Sequence, residues 1–191
     1  AGKTPMEALR NIPIAIKEFK PNVMMSVPTL AKNFKKNIEQ TVRASGKVAE
    51  RLYNIGLNAA IRYNKDGWNR GTKGSFLLKP LIWAVDKLVF QKVRQGLGGE
   101  LDFFIGGGAL LDIDLQRYYC AIGIPMFQGY GLSEATPVIS ANTLKKHRFG
   151  SSGLLVQPMD IKILDEDGNE CPTGKSGEIV IRGENVMAGY W

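Results

Sequence analysis

Over the first hundred positions apolar residues recur at spacings of three and four, and over the last forty they alternate by two, so the chain reads as helical early and extended late. Thr4-Pro5-Met6-Glu7 has the form of a capping box with proline at the first helical position, and Pro13 is expected to interrupt or end that helix. Residues 22–27 read as a buried strand running into Pro28. A helix follows with Leu30, Phe34 and Ile38 on one stripe, leaving Lys32, Lys35 and Lys36 to water, and Val48, Leu52, Ile55 and Ala59 mark another. The polar, glycine-rich stretch 64–74, with Trp68 as its one large apolar side chain, reads as a mobile surface loop.

From residue 101 the punctuation becomes regular. Leu101 to Ile105 is a short apolar strand ending in Gly106-Gly107-Gly108-Ala109. Asp112 can cap a following helix, in which Leu115, Tyr118, Tyr119 and Ile122 fall at helical spacing, and Gly123 is a natural stop. Ile124 to Gln128 forms a second strand that runs into a Gly129-Tyr130-Gly131 loop, completing a β-α-β unit. After about residue 149, Ile161 and Ile163 share a face, Asp167-Gly168 can turn a hairpin, and Ile179 and Ile181 repeat the alternation, which describes a β-meander.

A right-handed crossover places the ends of parallel neighbours on one edge of the sheet, where ligands of open α/β sheets bind. The triple-glycine loop and the run Gln128-Gly129-Tyr130-Gly131-Leu132-Ser133-Glu134-Ala135-Thr136 therefore meet there. Glycines allow close backbone approach, Tyr130 offers a flat face to a purine, Ser133 can donate to a phosphate oxygen, and Glu134 can hold a divalent cation. The plainer reading of the same run is a turn with a core tyrosine and a solvated glutamate.

Three segments resemble the adenylate-forming enzymes, specifically the acyl-CoA synthetases and within them the long-chain fatty acid CoA ligases. They are 104–110 (Phe104 to Leu110), 129–138 (Gly129 to Val138), and 177–183 with Val186-Met187-Ala188-Gly189-Tyr190-Trp191. Leu88 to Arg94 leading to Gly98-Gly99 is similar to the long-chain subgroup. The resemblance implies a two-step reaction: a carboxylate attacks the α-phosphate of ATP to give acyl-AMP and pyrophosphate, and coenzyme A sulfur then displaces AMP. It implies Glu134 as the Mg²⁺ ligand, Ser133 on the AMP phosphate, Tyr130 stacked on adenine, and Gly107, Gly108 and Ala109 lining the adenine and acyl side, with Gln128, Gly129, Gly131 and Leu132 completing the nucleotide contacts. The family usually carries threonine where Ser133 stands; the hydroxyl is retained.

The fold expected is α/β, a parallel β-α-β sheet with flanking helices over residues 1–149 carrying half of an adenylate site. Residues 150–191 would begin a small β-barrel. The 191 residues are about a third of what such an enzyme requires. The family's upstream phosphate loop, its ribose-binding aspartate and its C-terminal domain with the catalytic lysine are not in the chain. An excised fragment of this kind is expected to make no detectable acyl-adenylate alone and to dimerise or aggregate through exposed strand edges.

Composition narrows the remaining classes. A hydrophobic share of 44% and a charged share of 23% describe an ordinary globular chain able to bury a core. Cys120 and Cys171 lack metal-ligand spacing and read as free thiols; no apolar run approaches a membrane span and no signal-peptide layout opens the chain, so a cytoplasmic setting is expected. The net charge of +7 raises nucleic-acid binding, but the basic residues are dispersed and no nucleic-acid motif accompanies them. Phe76, Leu77, Leu78, Trp83 and Phe90, interleaved with Lys79, Lys87, Lys92 and Arg94, suit either core packing or peripheral attachment to an acidic membrane. His147, between Lys146 and Arg148, reads as a solvated side chain. Another adenylating enzyme, activating amino or aryl acids, and a non-catalytic docking module are the competing readings.

Overall fold

Asp112 shows how closely local chemistry sets the central unit. Its carboxylate accepts from the amides of Asp114 (2.7 Å) and Leu115 (3.3 Å), capping helix α6 (Ile113–Ala121), and Gly123 takes a positive φ of 84° just beyond the last turn. This helix connects strand β2 (Phe103–Gly106) to strand β3 (Met126–Gly131), which pair in parallel, and β1 (Val23–Ser26) pairs in parallel with β2 on the outer side. In the computed structural model, which describes residues 5–156 and 159–191 and side chains from residue 11 onward, the sheet has the order β1-β2-β3-β4-β5. Strands β4 (Val138–Ala141) and β5 (Leu154–Leu155) are antiparallel additions. A separate two-stranded sheet pairs β6 (Asp160–Leu164) with β7 (Glu178–Arg182), with Ile161 opposite Ile181 and Ile163 opposite Ile179. Among the described residues these strands do not close into a barrel.

Helices α1 (Pro5–Phe19), α2 (Pro28–Ala44), α3 (Lys47–Asn64), α4 (Lys79–Val85) and α5 (Gln91–Gly96) supply the rest of the core. Phe104 of β2 lies under Phe34 of α2 and Tyr119 of α6, with ring centroids 6.4 and 5.1 Å away. The Tyr119 hydroxyl donates to the Ala31 carbonyl at 2.7 Å, and the Tyr53 hydroxyl donates to that of Tyr118 at 2.8 Å, so all three phenols buried in the core have partners. Burial pushes the Tyr53 phenol up to about 12 and that of Tyr118 higher still. Arg94 clamps Asp86 in a bidentate pair at 2.6 and 2.9 Å and donates to the Ile122 carbonyl at 2.9 Å, tying α5 to the end of α6.

Several local expectations are corrected. Helix α1 continues through Pro13, because a proline inside a helix removes a single amide donor while Ile12 and Ile16 keep that stretch packed on the core; the capping Thr4 lies outside the described residues. Strand β1 forms, but as an edge: Met25 is 81% exposed and only Ser26 is buried. The 129–131 segment is paired strand, Gly129 opposite Ala141 and Tyr130 opposite Ser140, so the loop proper begins at Leu132. Helix α3 buries Ala59 and packs Leu52 on the core as expected, but adds Tyr53, Gly56 and Ala60 to the buried face while Val48 and Ile55 face water. Phe90 is in the core, whereas Phe76, Leu77 and Trp83 are exposed.

Candidate functional site

The parallel register sets the site. Ser26, Gly106 and Gln128 are aligned across β1, β2 and β3, so the loops leaving these three strands emerge at one edge of the sheet. Gly107, Gly108 and Ala109 form the first loop, and all three lie at the surface or near it. A Cβ on Gly107 or Gly108 would meet no atom within 4 Å, which leaves open space against that backbone. Sequence reading did not foresee that the end of β1, at Ser26 and Val27, joins the same edge; the signal was Pro28, which ends a strand as readily as it opens a helix.

Gln128 braces the two loops. Its Oε1 accepts from the Leu111 amide at 2.7 Å and its Nε2 donates to the Gly129 carbonyl at 2.6 Å, while Gln116 Nε2 donates to the Leu111 carbonyl at 3.0 Å. Leu111 is thereby pinned in the core between the glycine loop and α6. Both polar atoms of Gln128 are engaged by the protein itself.

Gly129, Tyr130 and Gly131 complete β3, and the chain then turns back to β4 through Leu132 and the single helical turn Ser133–Ala135. Gly131 is required by sterics: a Cβ there would collide with the Pro137 carbonyl oxygen across the hairpin. Leu132 and Ser133 are exposed, Tyr130 and Glu134 half-buried, and Ala135 fully buried, so the turn is anchored by Ala135 and presents its polar side chains outward. Thr136 sits at φ 47°, a left-handed conformation uncommon for a β-branched residue. The Tyr190 hydroxyl donates to Glu134 Oε1 at 2.6 Å and, with a backbone amide, holds that carboxyl below the ordinary glutamate range. Glu134 is thus an anion at neutral pH.

Among the described residues no three His, Cys, Asp or Glu side chains cluster to hold a metal. A single fixed carboxylate nevertheless suits Mg²⁺, which is commonly held by one or two carboxylates together with substrate phosphates and waters. A cavity of about 520 Å³ opens beside Gln128 on the sheet face, walled by Phe103, Ile105, Phe127 and Leu144. A second, of about 420 Å³, lies between α1, α2 and α5 and touches none of these residues.

Next to the site, the 64–74 stretch is a surface loop bonded to 143–149. Arg70 Nη2 lies 2.6 Å from His147 Nε2 and 3.2 Å from Cys120 Sγ, and the Phe149 amide donates to the Asp66 carbonyl at 2.8 Å. His147 is 6% exposed, flanked by the rings of Phe127 and Phe149, so the solvated reading is corrected: Lys146 faces water while the imidazole turns inward beneath Gly67. Burial, and then the Arg70 guanidinium, hold His147 below its ordinary pKa. Arginine only donates, so Nε2 must be an acceptor and the imidazole neutral. The native state then binds fewer protons than the unfolded chain once pH falls below about 6.5, and stability falls with it. The melting temperature should drop between pH 7.5 and 5.5, and drop less in His147→Gln, which keeps a neutral acceptor; equal drops in both proteins would remove His147 as the cause.

The sequence profile of the family described as AMP-binding enzyme matches residues 4–191. The long-chain-fatty-acid–CoA ligase FadD15 of Mycobacterium bovis is 30% identical over 183 residues, 96% of this chain and 28% of that protein. The long-chain-fatty-acid–CoA ligase of Yersinia pestis is 38% identical over 105 residues, 54% of this chain and 17% of its own length. Among solved structures, the anthranilate CoA ligase AuaEII in complex with anthranoyl-AMP superposes with a TM-score of 0.59 at 18% identity over 96% of this chain and 25% of its own, a likeness of fold. The chain thus spans well under a third of the relatives it matches.

Proposed function

Because the chain belongs to the AMP-binding enzyme family, we propose that it is the part of a long-chain fatty acid CoA ligase that carries half of the adenylate site. The observation that carries this reading is the convergence of the Gly106–Ala109 loop and the Tyr130–Glu134 hairpin at one edge of a parallel sheet, in a chain similar to ligases of that name. In this reading Tyr130 stacks on adenine, the Ser133 hydroxyl donates to the α-phosphate of AMP, and the backbone of Gly107, Gly108, Ala109, Gly129, Gly131 and Leu132 approaches the nucleotide. Gln128 holds the two loops in register through Oε1 and one Nε2 hydrogen, and its second Nε2 hydrogen is left to contact the nucleotide.

The chemistry is an anionic carboxylate meeting an anionic phosphate, so the need is fixed charge and orientation more than a strong base. Mg²⁺, when bound, would neutralise the phosphates, and the Glu134 carboxylate is the group that would hold it. Fatty acid, ATP and coenzyme A are the substrates implied for the whole enzyme, with a cytoplasmic setting and a division of the chain near residue 150. No described helix is long and apolar enough to cross a membrane. Peripheral contact is supported by the exposed Phe76, Leu77 and Trp83 near Lys79 and Lys87, and self-association of the chain by the exposed Val23 and Met25 on edge strand β1. Saturable AMP binding weakened by Tyr130→Ala tests the nucleotide reading. Preference for a long acyl chain over an amino or aryl acid in adenylate formation separates this ligase from other adenylating enzymes.

A further inference from the structure

Residues 185–190 lie across the turn that bears Glu134, and four hydrogen bonds join them to three consecutive residues about fifty positions earlier. Asn185 Nδ2 donates to the Ala135 carbonyl at 2.7 Å, Thr136 Oγ1 donates to the Asn185 carbonyl at 2.5 Å, the Met187 amide donates to the Glu134 carbonyl at 2.9 Å, and the Tyr190 hydroxyl donates to Glu134 Oε1 at 2.6 Å. Glu134 is therefore gripped through both its backbone and its carboxylate. We propose that this segment is a clasp that fixes Glu134 for the metal-bound nucleotide, with Tyr190 as a positioning residue.

The proposal rests on the nucleotide reading above and adds to it a residue that touches neither substrate nor metal. A surface glutamate free to rotate must be ordered when it captures a cation, and a phenol already bonded to one oxygen removes much of that entropy loss beforehand. Engaging Oε1 leaves Oε2 and the remaining lone pairs free to face a cation. The clasp is held against local costs. Thr136 is kept at φ 47°, and Asn185 retains its place although its Oδ1 is buried with no partner among the described residues. A strained residue on the turn and an unpaired oxygen on the segment, both held in place by the bonds between them, are what a positioning device requires.

The test compares Tyr190→Phe with the parent in the full-length protein. Calorimetric titration with ATP plus Mg²⁺ should show affinity weakened about five-fold, the size of one hydrogen bond, while AMP without metal changes by less than about two-fold. In a Glu134→Gln background the same substitution should add almost nothing, as coupled residues do. Hydrogen exchange at the Met187 amide gives a readout without nucleotide or metal and should speed up in Tyr190→Phe. Equal weakening of both ligands would make Tyr190 merely structural, and no weakening of either would remove it from the site; both overturn the proposal. If the parent binds neither ligand the nucleotide reading itself falls and takes the positioning role with it, an outcome told apart by Met187 exchange that still responds to Tyr190→Phe.

Discussion

Gly131→Ala should lower the melting temperature by about 6–12 °C, the shift expected when roughly 3 kcal/mol is lost from a chain of this size. The new methyl would be driven into the Pro137 carbonyl, which belongs to the returning arm of the same hairpin, and no side-chain rotation can relieve a clash between backbone groups. The chain must instead give up the register at which Gly131 faces Val138, already irregular between Tyr130 and Gly131. Because Tyr130, Ser133 and Glu134 flank that point, nucleotide affinity should fall together with stability. Gly107→Ala is the matching control: its methyl enters open space, and thermal scans should place it within about 2 °C of the parent. Gly131→Ala melting within that same margin would show that the hairpin is looser than described.

Glu134→Ala is expected to cut fatty acid adenylate formation in the full-length protein about 10²–10³-fold, the range seen when one preorganised electrostatic group is removed from a transferring centre. The fold should survive, since the backbone bond from Met187 to the Glu134 carbonyl is untouched and the freed Tyr190 hydroxyl can turn to water. AMP binding without metal should stay within about two-fold, because the carboxylate serves the metal rather than the purine. Steady-state rates and AMP titrations on the same preparations separate the two effects. Adenylate formation within three-fold of the parent would leave Glu134 without the role assigned to it.

What could be read from the sequence was decided over short stretches. The cap at Asp112, the apolar face of Leu115, Tyr118, Tyr119 and Ile122, and the stop at Gly123 interact within about ten residues, and each stands where its pattern places it. The alternation of Ile161 and Ile163 and of Ile179 and Ile181 likewise marked strands β6 and β7, which pair with each other across the Asp167-Gly168 turn. Long-range contacts account for the misses. Residues 64–74 are tied to the 143–149 segment through Arg70 and His147, 77 positions apart, and His147 is turned inward by rings that local composition does not reveal. Strand β4 has four residues and β5 two, too short to show a period between Pro137 and the glycines at 150 and 153. At the site, the pattern marked Tyr130, Ser133 and Glu134 as a group; it could not show that Gln128 is a brace or that Tyr190 reaches Glu134.

The most direct test of the nucleotide site is a calorimetric titration with AMP, and with ATP plus Mg²⁺, of the parent and of Tyr130→Ala. The proposed stacking predicts saturable binding that weakens about ten-fold in the variant for both ligands, a loss of roughly 1.4 kcal/mol. Binding of equal strength in the two proteins would place the purine elsewhere and contradict the assignment of this sheet edge.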